Sequence, residues 1–204
     1  MKINQLSWMI GGPQGSGVDS GANIFSRACA YGGLYVFGKR EYHSNIKGEH
    51  SNYVVRVDSK LIRSHLDEID FLVTFDPETL FRHIHKVVPG GVIIYDVNQE
   101  NITVDKIPTI DKQASKRIKK FLSEKGVGYS VKDVVNYAVN NGILVYGIPY
   151  VKLLEGLAEK LGNPQIARMD VMINVMAVSA SLALLKYDFN LVKEAIKYVF
   201  KAKK

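Results

Sequence analysis

Cysteine is nearly missing from this chain: Cys29 stands alone among 204 residues, so no disulfide can form within it. A single thiol also falls short of the four thiolates that an iron–sulfur cluster normally takes. Long apolar runs are absent as well. No stretch reaches the ~18 residues of a bilayer span, and the opening MKINQ has no signal-peptide core, so a cytoplasmic protein without a membrane partner is expected. The zinc-hydrolase pattern H-E-x-x-H, the G-x-S-x-G elbow, a paired-cysteine metal site and the Walker A lysine are all missing, Val18 standing where that lysine would follow Gly17. No internal repeat or low-complexity linker divides the chain.

What is present is a globular composition, 47% hydrophobic and 23% charged, with a net charge of +7 and a pI near 9.3. The excess lies in one helix (Lys116, Arg117, Lys119, Lys120) and at the end of the chain (Lys193 to Lys204). With no recognition motif or aromatic platform beside it, this reads as solvated surface, and no nucleic-acid partner is expected.

The chain is organised around Gly11 to Gly17, GGPQGSG. The apolar run Leu6–Ile10 before it reads as a buried strand, and Val18, Ala22, Phe25 and Cys29 after it share one helical face. A strand, a glycine turn and a helix leave the first amides of the helix at the positive end of its dipole, where an anion is a natural occupant. The spacing nevertheless does not meet the G-x-G-x-x-G fingerprint.

Further apolar runs at 34–37, 53–57, 71–75, 92–96 and 143–146 alternate with helical stretches at about 77–86, 112–125, 132–140, 151–161, 171–185 and 191–200. Runs that are continuous rather than alternating mark strands buried on both faces. The expected fold is a single α/β domain over 1–204, a three-layer α/β/α arrangement around a largely parallel open sheet.

Between the second and third runs lies a long polar segment, Gly38 to His50, expected to form a loop. A dinucleotide fold places an acid after its second strand to hold the ribose hydroxyls; here Lys39 and Arg40 stand instead and suit a phosphate, either the 2′-phosphate of NADP or the 3′-phosphate of coenzyme A. The five histidines form no ligand spacing: His83 and His85, two apart, do not share a helical face.

Four segments together, WMIGGPQGSGVDSGANIFSRA, KREYHSNIKGEHSNYVVRV, DFLVTFDPETL and VPGGVIIYD, resemble the gamma domain of 2-oxoacid:ferredoxin oxidoreductases, the pyruvate ferredoxin oxidoreductase group. IPYVKLLEGLAEKLGNPQIARM and the helix after it are similar to that family too, and the resemblance covers nearly the whole chain. The additional helices between Asp96 and Pro149 resemble the variety in which this domain is fused to the N-terminus of a larger alpha subunit.

The resemblance implies an enzyme complex that converts a 2-oxoacid and coenzyme A to acyl-CoA by oxidative decarboxylation, with ferredoxin as the electron acceptor. This chain has no G-D-G thiamine diphosphate motif and no Tyr-Pro-Ser-Thr-Pro segment. Thiamine diphosphate, magnesium and the 4Fe-4S clusters are therefore expected on alpha and beta partner domains or subunits of a homo- or hetero-oligomer, with no cofactor held by this domain alone and no activity when it is isolated. Carried onto matching positions, the coenzyme A site would draw on Gly12, Gln14, Gly15, Ser16 and Gly17 with Lys39, Arg40, Tyr42, Lys47 and Glu49. The competing readings are a stand-alone NADP-dependent reductase or a nucleotide-binding module; no Tyr-x-x-x-Lys pair accompanies the glycines to support hydride transfer.

Overall fold

The computed structural model describes residues 4–41 and 50–201, without the side chains of Asp170 and Val171. A six-stranded sheet in the order β2-β3-β1-β4-β5-β6 forms the middle layer. Its strands are β1 (Gln5–Pro13), β2 (Tyr35–Glu41), β3 (His50–Asp58), β4 (Ile69–Thr74), β5 (Val87–Asp96) and β6 (Leu144–Ile148). The pairs β1–β4, β4–β5 and β5–β6 are parallel, whereas β3 runs antiparallel to both β1 and β2. Among the described strands only β3 is reversed, so the sheet is mixed and mostly parallel.

Alternation of side chains across the strands divides the core in two. Trp8, Ile10, Val55, Val57, Phe71, Val73, Val92 and Ile94 face α1 (Val18–Tyr31), Tyr150 of α5 (Tyr150–Lys160), α6 (Asp170–Leu184) and α7 (Phe189–Lys201). Met9, Val54, Leu72, Ile93 and Tyr95 face α2 (Pro77–His83), α3 (Lys112–Glu124) and α4 (Val131–Asn140). Ile69 joins this second group although Phe71, two residues on, joins the first, because the β4–β5 register shifts between them.

On the first face, Trp8 and Phe25 stack with ring centroids 4.1 Å apart and planes 5° from parallel. The indole N–H of Trp8 donates to Ser181 Oγ at 3.2 Å, meeting the need of a polar group that is fully enclosed. Val18, Ala22, Phe25 and Cys29 are all buried as the helical spacing predicts, and burial pushes the Cys29 thiol up to about 12.

Local capping explains several boundaries. Asp76 accepts from the Thr79 amide and Pro77 opens α2; Asp111 accepts from the Gln113 and Ala114 amides at the start of α3; Ser130 and Asp133 form a reciprocal capping box on α4. Among the described residues no helix is long and apolar enough to cross a membrane.

Candidate functional site

β1 continues through Gly11 and Gly12 to Pro13, further than the apolar run alone predicts, because Gly11 and Gly12 pair with Asn52 and Ser51 of β3. The turn is thus confined to Gln14–Gly17. It sits where the sheet's connections diverge: the chain leaving β1 returns through α1 to β2 on one side, and the chain leaving β4 goes through α2 to β5 on the other. The carboxyl ends of β1 and β4 therefore flank a topological switch point, the usual crevice for ligands in open α/β sheets.

Close packing accounts for two of the glycines there. A Cβ on Gly11 would run into Thr79, and one on Gly12 into the Phe75 ring and Ser16 Oγ. Gly15 and Gly17 take φ of 93° and 95°, in the left-handed region that side chains disfavour. Gly17 is the N-cap of α1 and offers no side-chain cap to its amides. Among the described residues nothing lies within 4 Å of a Cβ placed on Gly15, so they leave the outer side of the turn open. That combination of an open turn, positive φ and uncapped helix amides fits a phosphate-bearing ligand.

The inner side of the turn is closed by a residue that the sequence marks only as a polar interruption of an apolar helix. Asn174, on α6, donates from Nδ2 to the Ser16 carbonyl and occupies the space a side chain on Gly17 would need. Its Oδ1 and Ser16 Oγ are buried without hydrogen-bond partners among the described residues. No periodicity signals that contact, since 158 residues separate the two.

Lys39 and Arg40, expected in a loop, belong to β2, which extends to Glu41 because that residue still pairs with Asn52 of β3. Being consecutive in a strand, their side chains leave opposite faces. Arg40 turns toward α1 and pairs with Asp19 of its first turn at 2.8 Å. Lys39 turns to the other face, pairing with Glu41 at 2.7 Å and approaching His65 Nε2 at 3.4 Å. The Lys39 ammonium holds the Glu41 carboxyl below its usual range, helped by Asn52 and Lys86, and Glu41 raises Lys39 in return. The structure thus brings Gly12, Gln14, Gly15, Ser16, Gly17 and Arg40 to one face and separates Lys39 from them. Tyr42, Lys47 and Glu49 lie outside the described residues.

His50, read in sequence as part of the loop, opens β3 and meets His83 from the end of α2, Nε2 to Nε2 at 2.8 Å. The pair is buried, and burial pushes His83 well below the ordinary imidazole range, with His50 and Lys86 adding to the effect. Among the described residues no group of three or more His, Cys, Asp or Glu side chains is placed to hold a metal ion.

A family model described as pyruvate ferredoxin/flavodoxin oxidoreductase matches residues 7–204. Over 197 residues the chain is 36% identical to the alpha subunit of 2-oxoacid:ferredoxin oxidoreductase 1 of Sulfurisphaera tokodaii, covering 97% of this chain and 31% of that one. Over 182 residues it is 41% identical to the alpha subunit of the Saccharolobus solfataricus enzyme, covering 89% and 28%. The chain therefore spans about a third of the length of these relatives, which are alpha subunits rather than gamma subunits. In fold it is similar to 2-oxoglutarate:ferredoxin oxidoreductase from Magnetococcus marinus, solved with 2-oxoglutarate, coenzyme A and succinyl-CoA bound, at a TM-score of 0.65 and 22% identity over all of this chain and 28% of that one. It is also similar to a keto/oxoacid ferredoxin oxidoreductase gamma subunit from Geobacter sulfurreducens, at 0.57 and 14% identity over 95% of this chain and 85% of that one. With nearly its entire length matched, the chain belongs to the pyruvate ferredoxin/flavodoxin oxidoreductase family.

Proposed function

We propose that the chain is the gamma-type domain at the N-terminus of a fused alpha subunit of a 2-oxoacid:ferredoxin oxidoreductase, and that it contributes one wall of the coenzyme A site and an inter-domain contact. The enzyme as a whole would take a 2-oxoacid and coenzyme A to acyl-CoA and carbon dioxide, passing two electrons to ferredoxin. Sequence identity to alpha subunits and fold likeness to a separate gamma subunit together support the fused arrangement.

The observation that carries the site is the convergence of the open Gly15–Gly17 turn with Arg40 at the amino end of α1. Arg40 is held there by Asp19, whose carboxylate offsets part of its charge, so the edge attracts a phosphate moderately rather than tightly. The role of the chain's own residues is to bind and orient: backbone amides of the turn and the Arg40 guanidinium meet phosphate oxygens, while the glycines keep side chains out of the way. Lys39, on the far face, takes no part in this wall.

The described residues of this chain include one buried cysteine and no group of three metal-ligating side chains, which does not fit a 4Fe-4S cluster, and the sequence has no G-D-G motif for thiamine diphosphate, which supplies carbanion stabilisation, and its magnesium. We assign them to the alpha and beta portions of the complex. The test is steady-state kinetics of the assembled enzyme carrying Arg40→Gln: a raised KM for coenzyme A with kcat and the KM for the 2-oxoacid little changed is expected, and an unchanged KM for coenzyme A would remove this edge from the site.

A further inference from the structure

On the face of the sheet turned away from α1 lies a cavity of about 580 Å³, a volume in the range of small-molecule sites. Glu41 and Asn52 reach it from the strands, Arg82, His83 and Lys86 from α2 and the turn after it, and Arg117 from α3. Ile118 and Phe121 of α3 make it apolar on one side. Neither Arg40 nor any residue of the glycine turn is among the described residues that line it, so this is a separate site.

Its charge is unbalanced. Among the described lining residues three cations, Arg82, Lys86 and Arg117, face one carboxylate, Glu41, leaving a formal +2 before any histidine is counted. Glu41 is already engaged by Lys39 at 2.7 Å, and Arg82 is steadied by Glu78, with Nε to Oε1 at 2.6 Å.

A second, independent observation is an unpartnered ring nitrogen in the cavity wall. His83 is 7% exposed, lines the cavity, and its Nδ1 is buried with no hydrogen-bond partner among the described residues. Its Nε2 is already committed to His50 Nε2. When both rings are neutral, one Nε2 must donate and the other accept. If His50 donates, His83 carries its proton on Nδ1, as a donor waiting for an oxygen. The pair can thus present an N–H without placing a buried charge, and burial of His83 favours that neutral form.

We propose that this cavity binds an organic phosphate monoester, its phosphate taken by the cationic side chains beside His83 and its carbon body resting on Ile118 and Phe121. A dianionic phosphate matches the formal charge of the lining, and its several acceptor oxygens suit several donors better than the two of a carboxylate do.

Phenyl phosphate is the probe, titrated calorimetrically into the full-length assembled enzyme. Saturable binding is expected, weakened about tenfold or more by Arg117→Glu and by Lys86→Gln, two changes at side chains that reach solvent, and unaffected by Lys120→Gln on the same helix. Inorganic phosphate, which lacks the carbon body, and benzoate, which lacks the phosphate, are each expected to bind at least about tenfold more weakly. Affinity equal for phosphate and phenyl phosphate, or indifferent to both charge changes, overturns the proposal. Loss of phenyl phosphate binding in Arg40→Gln would assign the probe to the glycine turn and overturn it too, while leaving the coenzyme A reading standing.

Discussion

Lys39 and Arg40 are adjacent in sequence, yet their charged ends serve opposite faces of the sheet: Arg40 bonds Asp19 of α1 at 2.8 Å, and Lys39 bonds Glu41 beside the histidine pair at 2.7 Å. In the assembled enzyme Arg40→Gln should raise the KM for coenzyme A about three- to tenfold, the loss of one exposed charge-assisted contact, whereas Lys39→Gln should change it less than about twofold. Raising the ionic strength should shrink the Arg40 effect. Equal effects from the two substitutions would mean that they act through the strand and not through the site.

The two left-handed glycines of the turn should respond differently to alanine. At Gly15, where space is open, only the backbone conformation is penalised, about 1 kcal/mol. At Gly17 the new methyl also meets Asn174, so a cost of about 2–4 kcal/mol is expected. Urea unfolding of the two variants measures the difference, and Asn174→Ala in the Gly17→Ala background should restore part of it.

Ser181 satisfies the indole of Trp8 in a place where both are fully enclosed. Ser181→Ala should therefore destabilise the chain by about 1–3 kcal/mol through the stranded N–H, more than a hydroxyl deletion at the surface. A loss below about 0.5 kcal/mol would show that the indole finds another acceptor.

Acidity offers a further check at Asp76. Loss of water on burial, with the nearby Glu78 charge adding to it and the hydrogen bonds of Thr79 and Thr74 only partly offsetting it, pushes its carboxyl up from 3.8 to about 6. Within that window the native state keeps a proton that the unfolded chain gives up, so stability from this group falls as pH rises from 3.8 to about 6 and is level above it. Since part of the residue reaches solvent, the effect should be smaller than full burial implies. Asp76→Asn, which retains an acceptor for the cap, should flatten that slope in urea midpoints taken across the window; an unchanged slope would show that Asp76 titrates normally.

Much of the architecture was legible because it rests on local chemistry. The continuous apolar runs became the central strands, Pro77 and Gly32 marked ends of helices, and the spacing of Val18, Ala22, Phe25 and Cys29 gave the buried face of α1. The reversal of β3 was not legible, since a run such as Tyr53–Val57 looks the same in either direction and only pairing with β1 and β2 decides it. That pairing also drew polar residues, Lys39 to Glu41 and His50 to Asn52, into strands where hydrophobic pattern gives no signal. At the site, the glycines carry their own explanation in positive φ, whereas Asn174 and the His50–His83 pair depend on contacts between residues far apart in sequence.

The reversed strand has a consequence for how the site edge can change. A parallel neighbour for β2 would need a crossover long enough to span the sheet, and its helix would then be part of the core. An antiparallel one needs only a short link, yet eight residues, 42–49, separate Glu41 from His50, and His50 pairs with Pro13 beside the glycine turn. The ladders that join β1, β2 and β3 lie on either side of that stretch, so an edit of its sequence can alter the site edge without removing a described strand pair.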